Sequence, residues 1–355
     1  MPQFGAAFDQ ALSITAISSG NAPLARSAIV HCQNRSQSSR LLMIDLCDRN
    51  AALARKDPFE RKASQVRGAW RRWSMDMTLR RTLVWLQAGA ANNQLIATGA
   101  RIAAEHGAEL NAVITTPKLA RSGHWAVGGM VSGMAAEVET RAERDAIELA
   151  SAVAQARTTA GIVGATITQA LAPHLYGEFV AVKGRTSDLV IARATADEET
   201  RGQIEALVFA AARPVLLLPT DEDDSADNAF DPHRIALAWD GSRTATRAAF
   251  DALPLLKRAR EVTLIQITDD KDLSRSGTAA ELSALLAGHG VKATTLEVLG
   301  RGRPTALALK DAFEQSGAGL LVMGAYGHSR AREFILGGAT RGTLQACAFP
   351  VLLSH

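Results

Sequence analysis

From Arg234 onward the chain alternates short, continuously apolar runs with stretches of helical periodicity. Arg234–Trp239 (RIALAW) runs into Asp240-Gly241-Ser242 and reads as a strand followed by turn and capping residues. Thr244–Arg260 has apolar positions at Ala248, Leu253, Leu255 and Leu256 and a basic last turn at Lys257, Arg258 and Arg260. That pattern predicts a helix, with a kink or boundary at Pro254. Val262–Thr268 predicts a second strand and Thr278–Leu286 a helix stopped at Gly288 or Gly290. Ala293–Leu299 predicts a third strand, and Pro304–Gln315 a helix with proline near its first turn. Leu320–Met323 (LLVM) then reads as a buried strand, Thr340–Cys347 as a helix and Val351–Leu353 as a last strand. Strands without polar alternation imply a parallel sheet covered on both faces. The α/β alternation predicts a doubly wound sheet, with ligands at the carboxyl ends of strands where the winding reverses.

The same order of landmarks occurs earlier in the chain. Arg81–Gln87 (RTLVWLQ) aligns with Arg234–Asp240, Asp188–Ala192 (DLVIA) with Gly319–Met323, and Ala212–Leu217 (ARPVLL) with Ala348–Leu353, keeping Pro214 opposite Pro350. Between them lie a helical pattern near Asn92–Glu105, a strand near Asn111–Thr115 and a long helix from about Ala135 to Arg157. Thr220–Phe230 (TDEDDSADNAF) reads as a solvated acidic linker. The expected organisation is an N-terminal extension over 1–74, two tandem domains over 76–219 and 231–355, and a linker over 220–230 between them.

Charge sharpens this division. Residues 1–74 hold eleven Arg/Lys and five Asp/Glu and so carry +6, which leaves −3 for the remainder of a chain of net charge +3. A mildly acidic body argues against nucleic-acid binding. The basic segment fits neither repeat and ends in Arg67–Trp73 (RGAWRRW), just before Met75 and Met77. It reads either as a disordered tail or as a stretch upstream of the natural start. Cys32, Cys47 and Cys347 are too widely spaced for a metal-ligand pattern or a disulfide framework, which fits a reducing, cytoplasmic setting. No run approaches the roughly 18 apolar residues of a membrane span, and no signal peptide is predicted.

Two features could carry chemistry. Gly324-Ala325-Tyr326-Gly327-His328, continuing to Gly337-Gly338-Ala339-Thr340, places glycines from the end of a buried strand to the start of a helix. Glycines admit an anion to backbone N–H groups, and a following helix supplies further donors and its dipole. The same spacing suits a glycine-rich turn needed only for tight packing. Asp240, at the carboxyl end of the first strand, could accept hydrogen bonds from a base or ribose, or could cap the next helix.

Taken together, Asp240-Gly-Ser, LLVMGAYGHSR at Leu320–Arg330, ILGGATR at Ile335–Arg341 and the closing PVLL strand resemble the universal stress protein family. The resemblance is dense over Arg234–Leu353 and only in outline over Thr78–Pro219. It implies, for each repeat, a five-stranded parallel sheet with helices on both faces. It also implies ATP, with Mg²⁺ as a possible companion, over the carboxyl edge of the second. Family roles would fall on Asp240 at the base or ribose, Gln266 and Ile267 near the adenine, and Gly324, Gly327, Gly337 and Gly338 around ribose and phosphates. His328 could touch a phosphate; a solvated loop histidine is the alternative. Where ATP-binding members carry Ser or Thr after the third glycine this chain has Gly338, and the nearest hydroxyl is Thr340.

The earlier repeat reads as degenerate, with Gln87 for the strand-end Asp and Arg193 and Ala196 for the first two glycines. It is expected to bind no ATP and to pair with the second repeat through its last strand; a homodimer of such chains is a further option. The expected role is ATP-binding stress regulation with at most slow hydrolysis, since no nucleophile–base pair or Walker-type lysine stands out. An interaction scaffold of the same fold is the alternative. His124, Trp125 and Gly128–Gly133 read as a mobile loop, His289 as a helix-end residue and Cys347 as a buried thiol.

Overall fold

A computed structural model describes the backbone of residues 13–15, 27–32 and 40–45, and residues 78–119, 128–194, 198–219, 230–268, 278–325 and 349–355. The chain forms two compact units, Met1–Met75 and Asp76–His355. In the first, β1 (Ser13–Thr15), β2 (Ser27–Cys32) and β3 (Arg40–Asp45) make an antiparallel sheet in that order.

The second unit opens with β4 (Arg81–Gln87), α1 (Asn93–His106), β5 (Glu109–Pro117) and α2 (Gly128–Ala160). It continues through β6 (Thr166–Leu171), α3 (Tyr176–Gly184), β7 (Leu189–Arg193), α4 (Glu198–Ala210) and β8 (Val215–Leu218). Next come β9 (Arg234–Ala238), α5 (Arg243–Asp251), α6 (Leu253–Leu256), β10 (Glu261–Ile267) and α7 (Ala279–Gly288). The last described elements are β11 (Thr294–Val298), α8 (Thr305–Ser316), β12 (Leu320–Gly324) and β13 (Val351–Ser354).

The strands form one ten-stranded sheet, ordered β11-β10-β9-β12-β13-β8-β7-β4-β5-β6. Each half contributes five mutually parallel strands in the same relative order, and the halves meet where β13 runs antiparallel to β8, Leu352 opposite Leu216. The α/β reading of the sequence holds, and burial explains why. Ile235 and Leu237 of β9 enter one hydrophobic layer while Ala236 between them enters the other; Val84 and Leu86 of β4 divide from Leu83 and Trp85 in the same way. Both layers run unbroken across the two halves. Each fully buried Leu or Ile here contributes roughly 1.5–3 kcal/mol, so strands covered on both faces become uninterrupted apolar runs.

The helix expected over Thr244–Arg260 is two helices, α5 and α6. Pro254 has no N–H to continue the α5 ladder, so the chain resets at Ala252 and proline enters the first turn of α6. Helix α2 starts at Gly128 rather than near Ala135, so Gly128–Gly133 lie in its first turns and not in a loop. Strand β6 and helices α3 and α4 are additions to the sequence reading. The expected helix Thr340–Cys347, Cys347, His124, Trp125, Arg67–Trp73 and most of the acidic linker lie outside the described residues.

Candidate functional site

In the second half the winding reverses between β9 and β12, where the chain leaves β9 toward β10 on one side and returns through α8 to β12 on the other. The two strand ends carry Asp240 and Gly324. The amide of Trp239 donates to Ile265 O at 2.8 Å, so the β9 ladder reaches the residue before Asp240. Asp240 Oδ1 accepts the Ser242 amide at 3.0 Å, across Gly241 with φ +68°. That positive φ lets the chain turn within one residue.

Ser242, not Asp240, caps α5: its Oγ accepts from Ala245 N at 3.1 Å. The capping alternative for Asp240 is thus taken by its neighbour, and the carboxylate braces the turn instead. Ser242→Ala is expected to cost about 1 kcal/mol of stability, read from the urea midpoint, because it orphans a first-turn amide.

Gly324 meets the same helix start. A Cβ at this position would lie 2.5 Å from Ala245 N and 2.5 Å from the Thr244 carbonyl carbon. Only glycine lets the end of β12 and the first turn of α5 approach this closely. Two strands away, Gln266 is buried on β10 opposite Glu297 of β11, and Ile267 is half-buried opposite Val298. The structure therefore brings Asp240, Gln266, Ile267 and Gly324 to one carboxyl edge. Gly327, His328, Gly337, Gly338 and Thr340 lie outside the described residues.

At the corresponding edge of the first half, side chains bond to the chain's own groups. Gln87 ends β4 where Asp240 follows β9, and its Nε2 donates to Gln203 Oε1 of α4 at 3.3 Å. Asn92 Nδ2 donates to Gln87 O at 2.9 Å and to Ala90 O at 2.6 Å, binding the turn to itself. Arg193 stands opposite Leu218 as Gly324 stands opposite Ser354. The amides one residue further on match as well: Ala194 N to Leu218 O and Ala325 N to Ser354 O, each 2.7 Å. Position for position, a carboxylate, a glycine and a serine face an amide, an arginine and a leucine.

One cation-bearing loop was missed from the sequence. Gly300-Arg301-Gly302-Arg303 follows β11 at the same carboxyl edge, with positive φ at Arg301 (55°) and Gly302 (69°). Arg303 Nη1 donates to Asp311 Oδ2 of α8 at 2.7 Å, which ties the loop to the helix after it. The repeated Gly-Arg pair was the available signal. Among the described residues no group of three or more His, Cys, Asp or Glu could hold a metal ion, and no helix is long and apolar enough to cross a membrane.

Ten strands in two parallel sets, with a polar strand end beside a glycine strand end at the winding reversal, define a doubly wound α/β protein. Residues 232–355 match the Universal stress protein family. Among solved structures, a universal stress protein from Archaeoglobus fulgidus aligns with 16% identity over 77% of this chain and 97% of its own, at a TM-score of 0.56. A functionally unknown protein from Pseudomonas aeruginosa PAO1 aligns with 14% identity over 79% of this chain and 94% of its own, at 0.49. A putative universal stress protein from Pseudomonas aeruginosa UCBPP-PA14 aligns over the same shares with 14% identity, at 0.47. The Archaeoglobus likeness shows the fold that the two halves build together. No curated protein matches the chain.

Proposed function

We propose that the chain is a nucleotide-binding regulatory protein of the cytoplasm, with one ATP site at the carboxyl edge of its second half and a first half that has become a silent structural partner. The observation carrying this reading is the contrast between the two edges. At β9 and β12 the strand ends bear Asp240, held in place by the Ser242 amide, and Gly324, which has no side chain. At β4 and β7 the same positions bear Gln87, bonded to Gln203, and Arg193.

The residues suit an adenine nucleotide chemically. A fixed carboxylate accepts from ribose hydroxyls or an exocyclic amine, and the buried Gln266 amide can meet a base edge. The glycine-rich run that continues beyond Gly324 in the sequence suits phosphate oxygens, with Mg²⁺ accompanying them. We propose binding without a rapid chemical step, so that the bound state is the signal.

Titrating ATP calorimetrically into the full chain tests this. Saturation near one ATP per chain is expected. Asp240→Asn keeps an oxygen acceptor for Ser242 but removes the charge, and should weaken binding roughly ten- to a hundredfold, the range for a hydrogen bond to a charged group. Two ATP per chain would show that the first half also works. No binding at millimolar ATP would overturn the reading and leave the interaction scaffold.

A further inference from the structure

The antiparallel junction sets the amino end of β8 beside the carboxyl end of β13, with Val215 opposite Leu353. The end of α4 in the first half therefore lies close to the ligand edge of the second. There the Phe209 ring meets the His355 ring edge-to-face, with centroids 4.8 Å apart and planes at 77°. His355 Nδ1 lies 3.2 Å from the Ala325 carbonyl oxygen. A carbonyl only accepts, so Nδ1 carries the proton and donates it. Ala325 is fully buried, directly follows Gly324, and also donates its own amide to Ser354 O at 2.7 Å.

Both backbone groups of Ala325, the residue after the first glycine of the run, are thus held, one by Ser354 and the other by His355, whose ring meets a phenylalanine of the other half. The first half lacks this device at its own edge. Ala194 N is held by Leu218 O in the same way, but the next residue is Pro219, which has no ring N–H to reach the Ala194 carbonyl. Phe209 is 42% exposed and His355 is exposed as well, so the pair lies at the surface.

We infer that Phe209 and His355 are positioning residues for the proposed nucleotide site: Phe209 orients the His355 ring, and His355 fixes the Ala325 carbonyl at the end of β12. The first half then acts on a site it does not enter. This rests on the proposed nucleotide reading for its ligand, though not for its geometry.

The test uses the full chain with Phe209→Leu, Phe209→Tyr, His355→Ala and the Phe209→Leu/His355→Ala double variant. Two readouts are taken: ATP affinity by calorimetry, and exchange of the Ala325 amide without nucleotide. Phe209→Leu keeps apolar bulk but loses the ring, and should weaken ATP roughly two- to tenfold, the span of one aromatic pair. Phe209→Tyr should restore affinity, and the double variant should be no weaker than His355→Ala, because both changes cut one chain of contacts. Ala325 exchange should quicken in Phe209→Leu and His355→Ala. Unchanged or simply additive affinities, with the parent chain binding ATP, overturn the inference. If the parent binds no ATP, the nucleotide reading fails by itself. Ala325 exchange then decides alone: faster exchange upholds the positioning role and unchanged exchange removes it.

Discussion

Gly324→Ala should lower the stability of the chain by about 3 kcal/mol and abolish the proposed nucleotide binding in what remains folded. The added methyl would sit 2.5 Å from the Ala245 amide nitrogen and the Thr244 carbonyl carbon, backbone atoms that cannot rotate away. To admit it, α5 must back off from β12. That strains a packed layer, at a cost in the upper range for overpacking, and it moves the turn that carries Asp240. Chemical denaturation reads the loss as a lower midpoint with an unchanged slope. Gly202→Ala is the matched control. It lies in α4 with nothing within 4 Å of its added Cβ, so there alanine should raise stability by about 0.5–1 kcal/mol. A Gly324→Ala chain as stable as its parent would show that α5 and β12 are not in this close contact.

Acid should loosen the chain before its carboxylates titrate. His106, at the end of α1, is 7% exposed and its Nδ1 has no hydrogen-bond partner. Burial, with a smaller contribution from the Arg258 guanidinium of the other half, lowers its pKa from 6.5 to about 4. Above pH 6.5 the imidazole is neutral folded and unfolded, and titration has no effect on stability. Between pH 6.5 and about 4 the unfolded chain binds a proton that the folded chain refuses, so stability falls as pH falls. The full loss is at most about 3 kcal/mol and levels off once both states are protonated. His106→Leu removes the titrating group, so unfolding midpoints at pH 7 and pH 4.5 should differ less in the variant than in the parent. Equal differences in the two chains would mean that His106 titrates normally in the fold.

How much of this was legible in advance follows burial. Strands β4, β9, β10 and β12 are covered on both faces, so their apolar runs announce them. Strand β6 (TITQAL) is the outermost strand of the first half; Ile167, Thr168 and Ala170 are exposed, and no apolar run forms. The Pro254 boundary was legible because proline acts through its own missing N–H, a local effect. Capping was legible as a choice among Asp240-Gly241-Ser242, and geometry settled it on Ser242.

The site divides in the same way. Asp240 and Gly324 stand out because each sits at a strand end whose residue type is unusual there. The side-chain bond at the first edge depends on Gln203 reaching Gln87, and the His355 contact depends on Phe209. Neither pair is near in sequence, and neither residue type signals a partner. Such contacts exist only once α4 has been laid beside the sheet.

The antiparallel seam between β8 and β13 has a consequence in terms of mass action. Two separate five-stranded domains that paired edge to edge would fall apart on dilution, and anything depending on their contact would vary with protein concentration. Here both edges belong to one polypeptide, so the seam closes in a unimolecular step at an effective concentration fixed by the connecting segment. An influence that crosses it is as strong in a scarce protein as in an abundant one.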